Sequence, residues 1–211
     1  MFIVFEGVDG SGKTTQLRLL AEALRAQGVA VTTTREPGGS ANIGPLLREL
    51  LLHSADDLGA RAEALLFAAD RAEHVRTVVE PALARGEVVL CDRFVDSTLA
   101  YQGHGRGLPA DELLALCDFA TAGRSADLVV VCDLDPRQAQ ARQRARSATD
   151  RMEAAGLGGH VRELLLSRAG ADPDRYVVVD AGGTPEQVAV RVVGEVASRT
   201  GLLRLPSTPS V

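Results

Sequence analysis

Eight consecutive residues near the amino terminus have the types and the spacing of a loop that binds phosphate groups. They fit the pattern G-x-x-x-x-G-K-[ST] in full: Gly7, Val8, Asp9, Gly10, Ser11, Gly12, Lys13 and Thr14. In such a loop the glycines let backbone N–H groups turn towards phosphate oxygens, and the helix that follows directs the positive end of its dipole at the same point. The lysine reaches the β- and γ-phosphates, and the threonine hydroxyl ligates Mg²⁺. We therefore predict that residues 7–14 bind ATP and Mg²⁺.

The use of lysine in the rest of the chain supports this prediction. Lys13 is the only lysine among the 23 lysine and arginine residues. Lysine carries a compact ammonium and arginine a planar fork, so a slot between phosphates accepts the first and rejects the second. Because the same loop serves kinases, GTPases and ATP-driven motors, other residues must decide the function. A GTPase needs a second lysine to read guanine, and a motor needs a longer chain, so a kinase is favoured.

A kinase needs positive donors around the phosphoryl group in transit, and arginines are concentrated in one part of the sequence. They are followed by glycines, as is typical of a mobile lid that closes over phosphates. The arginines are Arg142, Arg144, Arg146 and Arg151, and the glycines are Gly156, Gly158 and Gly159. A solvated basic helix face remains the alternative interpretation.

Asp92 and Arg93 follow an apolar run at 87–91. In open α/β sheets, ligands bind at the carboxyl ends of the strands. Arg93 is therefore predicted to contact the phosphate of the acceptor, and Asp92 to hold a water molecule on Mg²⁺. An ion pair at the end of a surface strand is the alternative.

The elements that must position these residues alternate along the chain. Short β-branched and apolar runs predict strands at 2–5, 29–34, 87–91, 127–132 and 176–179. Helical spacing of apolar residues predicts helices at 14–26, 43–52, 60–84, 109–121, 136–145 and 185–199. This alternation predicts a three-layer α/β/α fold of the P-loop type, with a five-stranded parallel sheet and a short mobile lid at about 142–156. We expect one domain at 1–204 and a disordered tail at 205–211.

The composition excludes several classes of protein. Of the 211 residues, 45% are hydrophobic and 24% charged, which is typical of a globular domain, and no apolar run is long enough to span a membrane. The net charge of -5 argues against general binding to nucleic acid. Met1 to Glu6 leave no room for a secretion signal, and Cys91, Cys117 and Cys132 have the sequence context of buried reduced thiols, so a cytoplasmic location is expected.

The ordered set of motifs resembles bacterial thymidylate kinase, from Phe2 to about Ala181. Besides the phosphate loop, the matching segments are 35–39 (REPGG), 66–71 (LFAADR), 92–94 (DRF), 97–103 (STLAYQG) and 150–153 (DRME). The family's catalytic arginine lies either in the phosphate loop or in the lid. Gly10 occupies the loop position in this chain, which therefore resembles the lid-arginine type. Leu157 and Leu165 depart from the family, since they stand where it usually has aromatic residues.

The resemblance implies phosphorylation of dTMP by ATP, in a homodimer, with the following roles. Catalysis would fall to Lys13, Asp9, Arg93, Arg146 and Arg151. Thymine would stack on Phe67, with Arg71 and Thr98 bonded to its edge. The deoxyribose would lie near Tyr101 with its 3′-hydroxyl facing Asp9, and Arg93, Arg48 and Gln102 would line the phosphate pocket. Core packing for Phe67, a surface phenol for Tyr101, a kinase for another small acceptor and a non-catalytic nucleotide-binding module remain open alternatives.

Overall fold

Five parallel strands form the centre of the computed structural model, which describes residues 1–53, 58–144 and 158–203. Their order across the sheet is β2-β3-β1-β4-β5. The strands are β1 (Phe2–Glu6), β2 (Val31–Arg35), β3 (Val88–Asp92), β4 (Leu128–Asp133) and β5 (Tyr176–Asp180). The predicted five-stranded parallel sheet is thus confirmed, with strand boundaries within two residues of those expected.

The central strands are apolar throughout because both of their faces are covered. Every residue of β1 is buried, and only the last residue of β4 is partly exposed. Edge strand β2, by contrast, contains three threonines and is partly exposed along its length. The parallel register pairs Phe5 with Asp92, and Arg35 also with Asp92. The polar residues at the carboxyl ends of β1, β2 and β3 therefore meet at one edge of the sheet.

Helices surround the sheet. α1 packs against α9, whereas α3 packs against both α2 and α6. The helices are α1 (Lys13–Ala26), α2 (Gly44–His53), α3 (Ala60–His74), α4 (Glu80–Ala84), α5 (Val95–Thr98), α6 (Ala110–Thr121), α7 (Pro136–Arg144), α8 (Gly158–Ala171) and α9 (Pro185–Thr200). No helix within the described ranges is both long enough and apolar enough to cross a bilayer.

Two wide helical turns were not predicted from the sequence. The helix expected at 60–84 changes to a π-helical turn at Val75–Val79 between α3 and α4. Pro81 lies just beyond this turn and has no N–H to donate to the residue four positions before it, which accounts for the widening. A second π-helical segment, Leu99–Gly105, continues α5. It carries Tyr101 and Gln102, both buried.

The segment after β4 also differs from expectation. Gly158 and Gly159, grouped with the lid in the sequence, are the first residues of α8. Val161, Leu165 and Ala169 are buried at a spacing of four residues, so this helix packs one apolar stripe against β4 and β5. Leu165 is therefore a core residue. Most of the predicted lid, with Arg146 and Arg151, lies outside the described residues, as do Leu157 and the predicted tail at 205–211.

Candidate active site

The phosphate loop connects β1 to α1. A Cβ atom at position 7 would lie 2.6 Å from the carbonyl oxygen of Cys132, so only glycine fits beside the end of β4. Gly12 has a φ of 93° and starts α1 from the left-handed region, which favours glycine. The loop therefore depends on these glycines for its path, and α1 points its amino terminus into it.

Lys13 is 6% exposed and its ammonium lies inside the loop. Nζ donates to the carbonyl oxygens of Gly7 and Val8, at 2.9 and 3.0 Å, and lies 3.7 Å from Oδ1 of Asp9. Burial lowers the pKa of Lys13, with repulsion from Arg93 acting in the same direction. The loop thus holds a desolvated point charge beside its own backbone N–H groups, which is the arrangement that a triphosphate requires.

Thr14 and Asp92 supply oxygen ligands suited to Mg²⁺. The hydroxyl of Thr14 donates to Oδ2 of Asp92. Oδ1 of Asp92 is buried and has no hydrogen-bond partner among the described residues. A hydroxyl beside a carboxylate with one unused oxygen fits a hard cation that binds oxygen and keeps some of its water. The residues present therefore fit the predicted metal.

Arg93 lies at the centre of a compact group of side chains. Its backbone has a φ of 71°, which is strained for a residue other than glycine. Nη2 donates to Oδ1 of Asp9, and Nη1 donates to Oγ of Ser97 at 3.0 Å. Tyr101 donates its phenolic hydrogen to Oδ2 of Asp9 at 2.5 Å, and the Arg93 guanidinium lies 5.3 Å from the centre of the Tyr101 ring.

Electrostatics keep Asp9 ionised in this group. Burial alone would raise the pKa of Asp9, but the charges of Arg93 and Lys13 outweigh it and hold that pKa well below its usual range. Burial raises the pKa of Tyr101, so the phenol stays protonated and remains a donor. Asp9 therefore links the phosphate loop to Arg93 and Tyr101 as a permanent anion.

Arg71 is 2% exposed and is bonded in several directions. Nε donates to Oε2 of Glu36 at 2.8 Å, and Nη1 donates to the Cys117 sulfur at 3.1 Å. Nη2 donates to the carbonyl oxygen of Phe94 and to the Thr98 hydroxyl oxygen, each at 3.0 Å. A guanidinium has five N–H groups, so these four contacts leave one for a ligand. Thr98 accepts from Arg71 and retains its own hydroxyl hydrogen for donation.

A cavity of about 210 Å³ brings the predicted residues together. Phe67, half-buried on α3, lies one helical turn before Arg71 and shares its side of the helix. The predicted site residues that line the cavity are Asp9, Gly10, Gly12, Lys13, Thr14, Arg48, Phe67, Arg71, Asp92, Arg93, Thr98, Tyr101 and Gln102. Of the predicted loop residues, Gly7, Val8 and Ser11 do not line it.

The lid arginines within the described residues do not line the cavity. Arg142 and Arg144 belong to α7 rather than to a loop. Nη1 and Nη2 of Arg142 each donate to the carbonyl oxygen of Ala181 at 3.3 Å, and Nη2 also donates to that of Gly183 at 3.4 Å. Arg142 therefore bonds the backbone that follows β5, and Arg144 bonds Gln140 on its own helix.

Several residues of the site had no role in the sequence-based prediction. Glu36 is buried between Arg71 and His74, whose Nδ1 lies 2.9 Å from Oε1 of the carboxylate. Glu63 is fully buried and accepts from Nε2 of Gln102 at 2.9 Å. Arg35 lines the cavity. Glu36 and Arg35 are part of the matched 35–39 segment, which was the only signal available for them.

The sequence matches known proteins over most of its length. The family model described as thymidylate kinase matches residues 5–192. The thymidylate kinase of Synechococcus sp. (strain JA-3-3Ab) is 51% identical over 201 residues, covering 94% of this chain and 96% of that protein. The thymidylate kinase of Clavibacter sepedonicus is 50% identical over 195 residues, covering 91% and 92%. That of Bifidobacterium longum (strain DJO10A) is 46% identical over 202 residues, covering 93% and 97%.

Proposed function

This chain belongs to the thymidylate kinase family, and we propose which of its residues carry out the transfer of the γ-phosphate of ATP to dTMP. The enzyme phosphorylates dTMP to dTDP. The assignment of roles depends on one observation, which is that the residues proposed for ATP and those proposed for dTMP line the same cavity. One part of it is formed by the phosphate loop with Lys13, and another by Phe67, Arg71 and Thr98, which suit a planar base.

On the donor side, backbone N–H groups of residues 7–14 and the ammonium of Lys13 hold the phosphates of ATP. Thr14 would contribute its hydroxyl to Mg²⁺, and Asp92 would hold the metal directly or through a bound water molecule. When bound, Mg²⁺ neutralises negative charge on the phosphate oxygens. Lys13 supplies a second positive charge at the same phosphates without any proton being moved.

On the acceptor side, Phe67 offers a ring for stacking, and Arg71 and Thr98 each retain one hydrogen for the edge of thymine. Asp9 and Tyr101 lie where the deoxyribose would pass from the base to the phosphate. Arg93, with Arg48 and Arg35, orients the 5′-phosphate. The amide of Gln102, held by Glu63, lines the same pocket.

The chemical step is an in-line displacement. A 5′-phosphate oxygen of dTMP forms a bond to the γ-phosphorus as the bond to the β-γ bridging oxygen breaks, and ADP leaves. The attacking oxygen is already ionised at neutral pH, so no general base is needed. Positioning by Arg93 and charge stabilisation by Lys13 provide most of the rate gain. We retain the prediction that Arg146 and Arg151 contribute to catalysis. The single domain at 1–204 and its lid at 142–156 also stay predictions.

We further propose a homodimer. Large apolar side chains are exposed on the three helices α2, α3 and α6, which pack next to one another: Leu46 is 70% exposed, Leu65 58% and Phe119 85%. Exposed apolar groups on neighbouring helices are typical of a surface that binds another protein. We also propose a cytoplasmic location, because Cys91, Cys117 and Cys132 are all buried free thiols, as is typical of a reducing compartment.

An acceptor panel tests the proposed site. ADP release would be followed with ATP and equal concentrations of dTMP, dUMP, dCMP, dGMP or thymidine, and without acceptor. We expect dTMP to give the highest kcat/KM and the reaction without acceptor to release almost no ADP. Equal rates with all acceptors would contradict the assignment of Phe67, Arg71 and Thr98 to thymine. Release independent of acceptor would contradict the transfer itself.

A further inference from the structure

A buried carboxylate lies behind the catalytic arginine. Glu6 is the last residue of β1, directly before the phosphate loop, and is 1% exposed. Oε1 accepts from the backbone N–H groups of Phe94, at 2.9 Å, and Ser97, at 3.2 Å. Oε2 accepts from the hydroxyl of Ser97 at 2.7 Å. Glu6 does not line the cavity, so it has no place in the transfer described above.

Both partners of Glu6 follow Arg93 closely in the chain, and one of them, Ser97, bonds to its side chain. Phe94 follows Arg93 directly, at the point where the backbone leaves its strained conformation at φ 71°. Oγ of Ser97 accepts from Nη1 of Arg93 at 3.0 Å. One carboxylate therefore fixes the peptide next to Arg93 and also the side chain that holds the guanidinium.

We propose that Glu6 is a positioning residue for phosphoryl transfer, which holds Arg93 in its catalytic orientation through the Ser97 hydroxyl and the Phe94 peptide. This inference rests on the proposed role of Arg93. The residue acts without touching substrate. It links the end of β1, which leads into the loop for the donor, to the arginine that orients the acceptor.

The polarity of the hydrogen-bond chain explains why a carboxylate is required. The Ser97 hydroxyl has one hydrogen, which it donates to Glu6, and its oxygen accepts from Arg93. In a Glu6→Gln variant, the amide carbonyl can still accept from the two backbone N–H groups. The amide nitrogen would then donate to Ser97, in competition with Arg93, and the Ser97 hydrogen would lose its acceptor. The contact that orients Arg93 is thus weakened, although the side chain keeps its size.

Glu6→Gln and Ser97→Ala, alone and together, test this chain of contacts in the full-length enzyme at pH 8, above the pKa of Glu6, which burial raises to about 7. A displacement of about 1 Å costs on the order of 100-fold in rate, so each single variant is expected to lower kcat about 10- to 100-fold, with the KM for ATP within about twofold of the wild type. Because both changes break the same chain, the double variant should be no more than about threefold worse than the poorer single variant.

Two further variants separate this role from a loss of stability and from a wrong assignment of Arg93. Val192→Ala makes a cavity at a core residue of α9 that is 0% exposed, and it should lower the Tm while kcat is retained. Arg93→Lys keeps the charge and removes the fork, and it should lower kcat below both single variants.

The outcomes distinguish the two hypotheses. A folded Glu6→Gln enzyme with kcat within about twofold of the wild type, while Arg93→Lys is impaired, would overturn the role of Glu6 alone. Multiplicative losses in the double variant would also overturn it. Full activity of Arg93→Lys would instead refute the proposed role of Arg93. If Glu6→Gln does not fold, Ser97→Ala decides the question, because normal kcat in that variant would overturn the proposal.

Discussion

Replacement of Lys13 should lower the rate of phosphoryl transfer far more than it lowers the stability of the fold. In the Lys13→Ala variant, two hydrogen bonds to the Gly7 and Val8 carbonyls are lost, worth about 1 kcal/mol each. Burial lowers the pKa of Lys13, which means that the folded protein holds this charge less favourably than water does. Removal of the charge offsets part of the loss. The free energy of unfolding should therefore fall by about 2 kcal/mol at most.

The effect on catalysis should be much larger. Loss of one preorganised donor to a developing anion lowers kcat by about 10²- to 10³-fold, and a full charge at the transferred phosphate is worth at least the upper end of that range. A 10³-fold loss corresponds to about 4 kcal/mol of transition-state stabilisation. ADP release coupled to an indicator reaction measures the rate, and urea unfolding measures the stability.

Lys13→Arg is the matched control. It keeps the positive charge, but a planar fork does not fit where an ammonium lies between two carbonyl oxygens at 2.9 and 3.0 Å in a side chain only 6% exposed. We expect its kcat to fall nearly as far as that of Lys13→Ala. Activity of either variant within tenfold of the wild type would refute the assignment of a point charge to the phosphates of the donor.

Three further predictions follow from other parts of the site. Phe67→Ala should raise the KM for dTMP about fivefold with little change in kcat, since an aromatic stacking contact is worth about 1 kcal/mol; a lower Tm with an unchanged KM would instead indicate core packing. Asp92→Asn should raise the Mg²⁺ concentration for half-maximal activity about tenfold, and an unchanged Mg²⁺ titration would exclude Asp92 from metal binding. Burial, and next the charge of Asp96, raise the pKa of Glu6 from 4.5 to about 7. Between pH 4.5 and 7 the folded protein therefore holds the Glu6 proton more tightly than the unfolded chain does. The contribution of this group to the free energy of unfolding is complete below pH 4.5 and is lost as the pH rises through 7. The wild type should thus lose up to about 3 kcal/mol relative to Glu6→Gln between pH 4.5 and 8 in urea unfolding, and a constant difference would contradict the shifted pKa.

The sheet and the phosphate loop could be predicted because their signals are local. Each strand is a short run dominated by β-branched and apolar side chains, and the loop needs a defined order of glycine, lysine and threonine in eight residues. The two π-helical segments and α8 were missed for a different reason. Gly158 and Gly159 weaken a helix, but the buried stripe of Val161 and Leu165 outweighs them through tertiary packing, which local propensity does not report.

The buried carboxylates of the site were the residues least accessible to sequence reasoning. Glu6 directly follows the predicted strand at 2–5, and Glu36 is one residue of the matched segment 35–39. Their roles depend on partners far away in the chain: Glu6 bonds Ser97, and Glu36 bonds Arg71. Neither separation follows a helical or strand period, so no pattern in the sequence joins them. The same is true of Arg142, whose carbonyl partners follow β5.

The carboxylates of Asp9 and Glu36 help to explain how a protein with a net charge of -5 binds the anionic substrates ATP and dTMP. The principal cations of the cavity each have an anionic partner supplied by the protein: Arg93 bonds Asp9, and Arg71 bonds Glu36. Lys13 shares Asp9. A cation bonded in this way is already oriented, so substrate binding need not use free energy to order a long side chain. The ion pairs therefore act mainly by orienting the cations. Phosphate recognition depends on the N–H groups that these pairs leave facing the cavity.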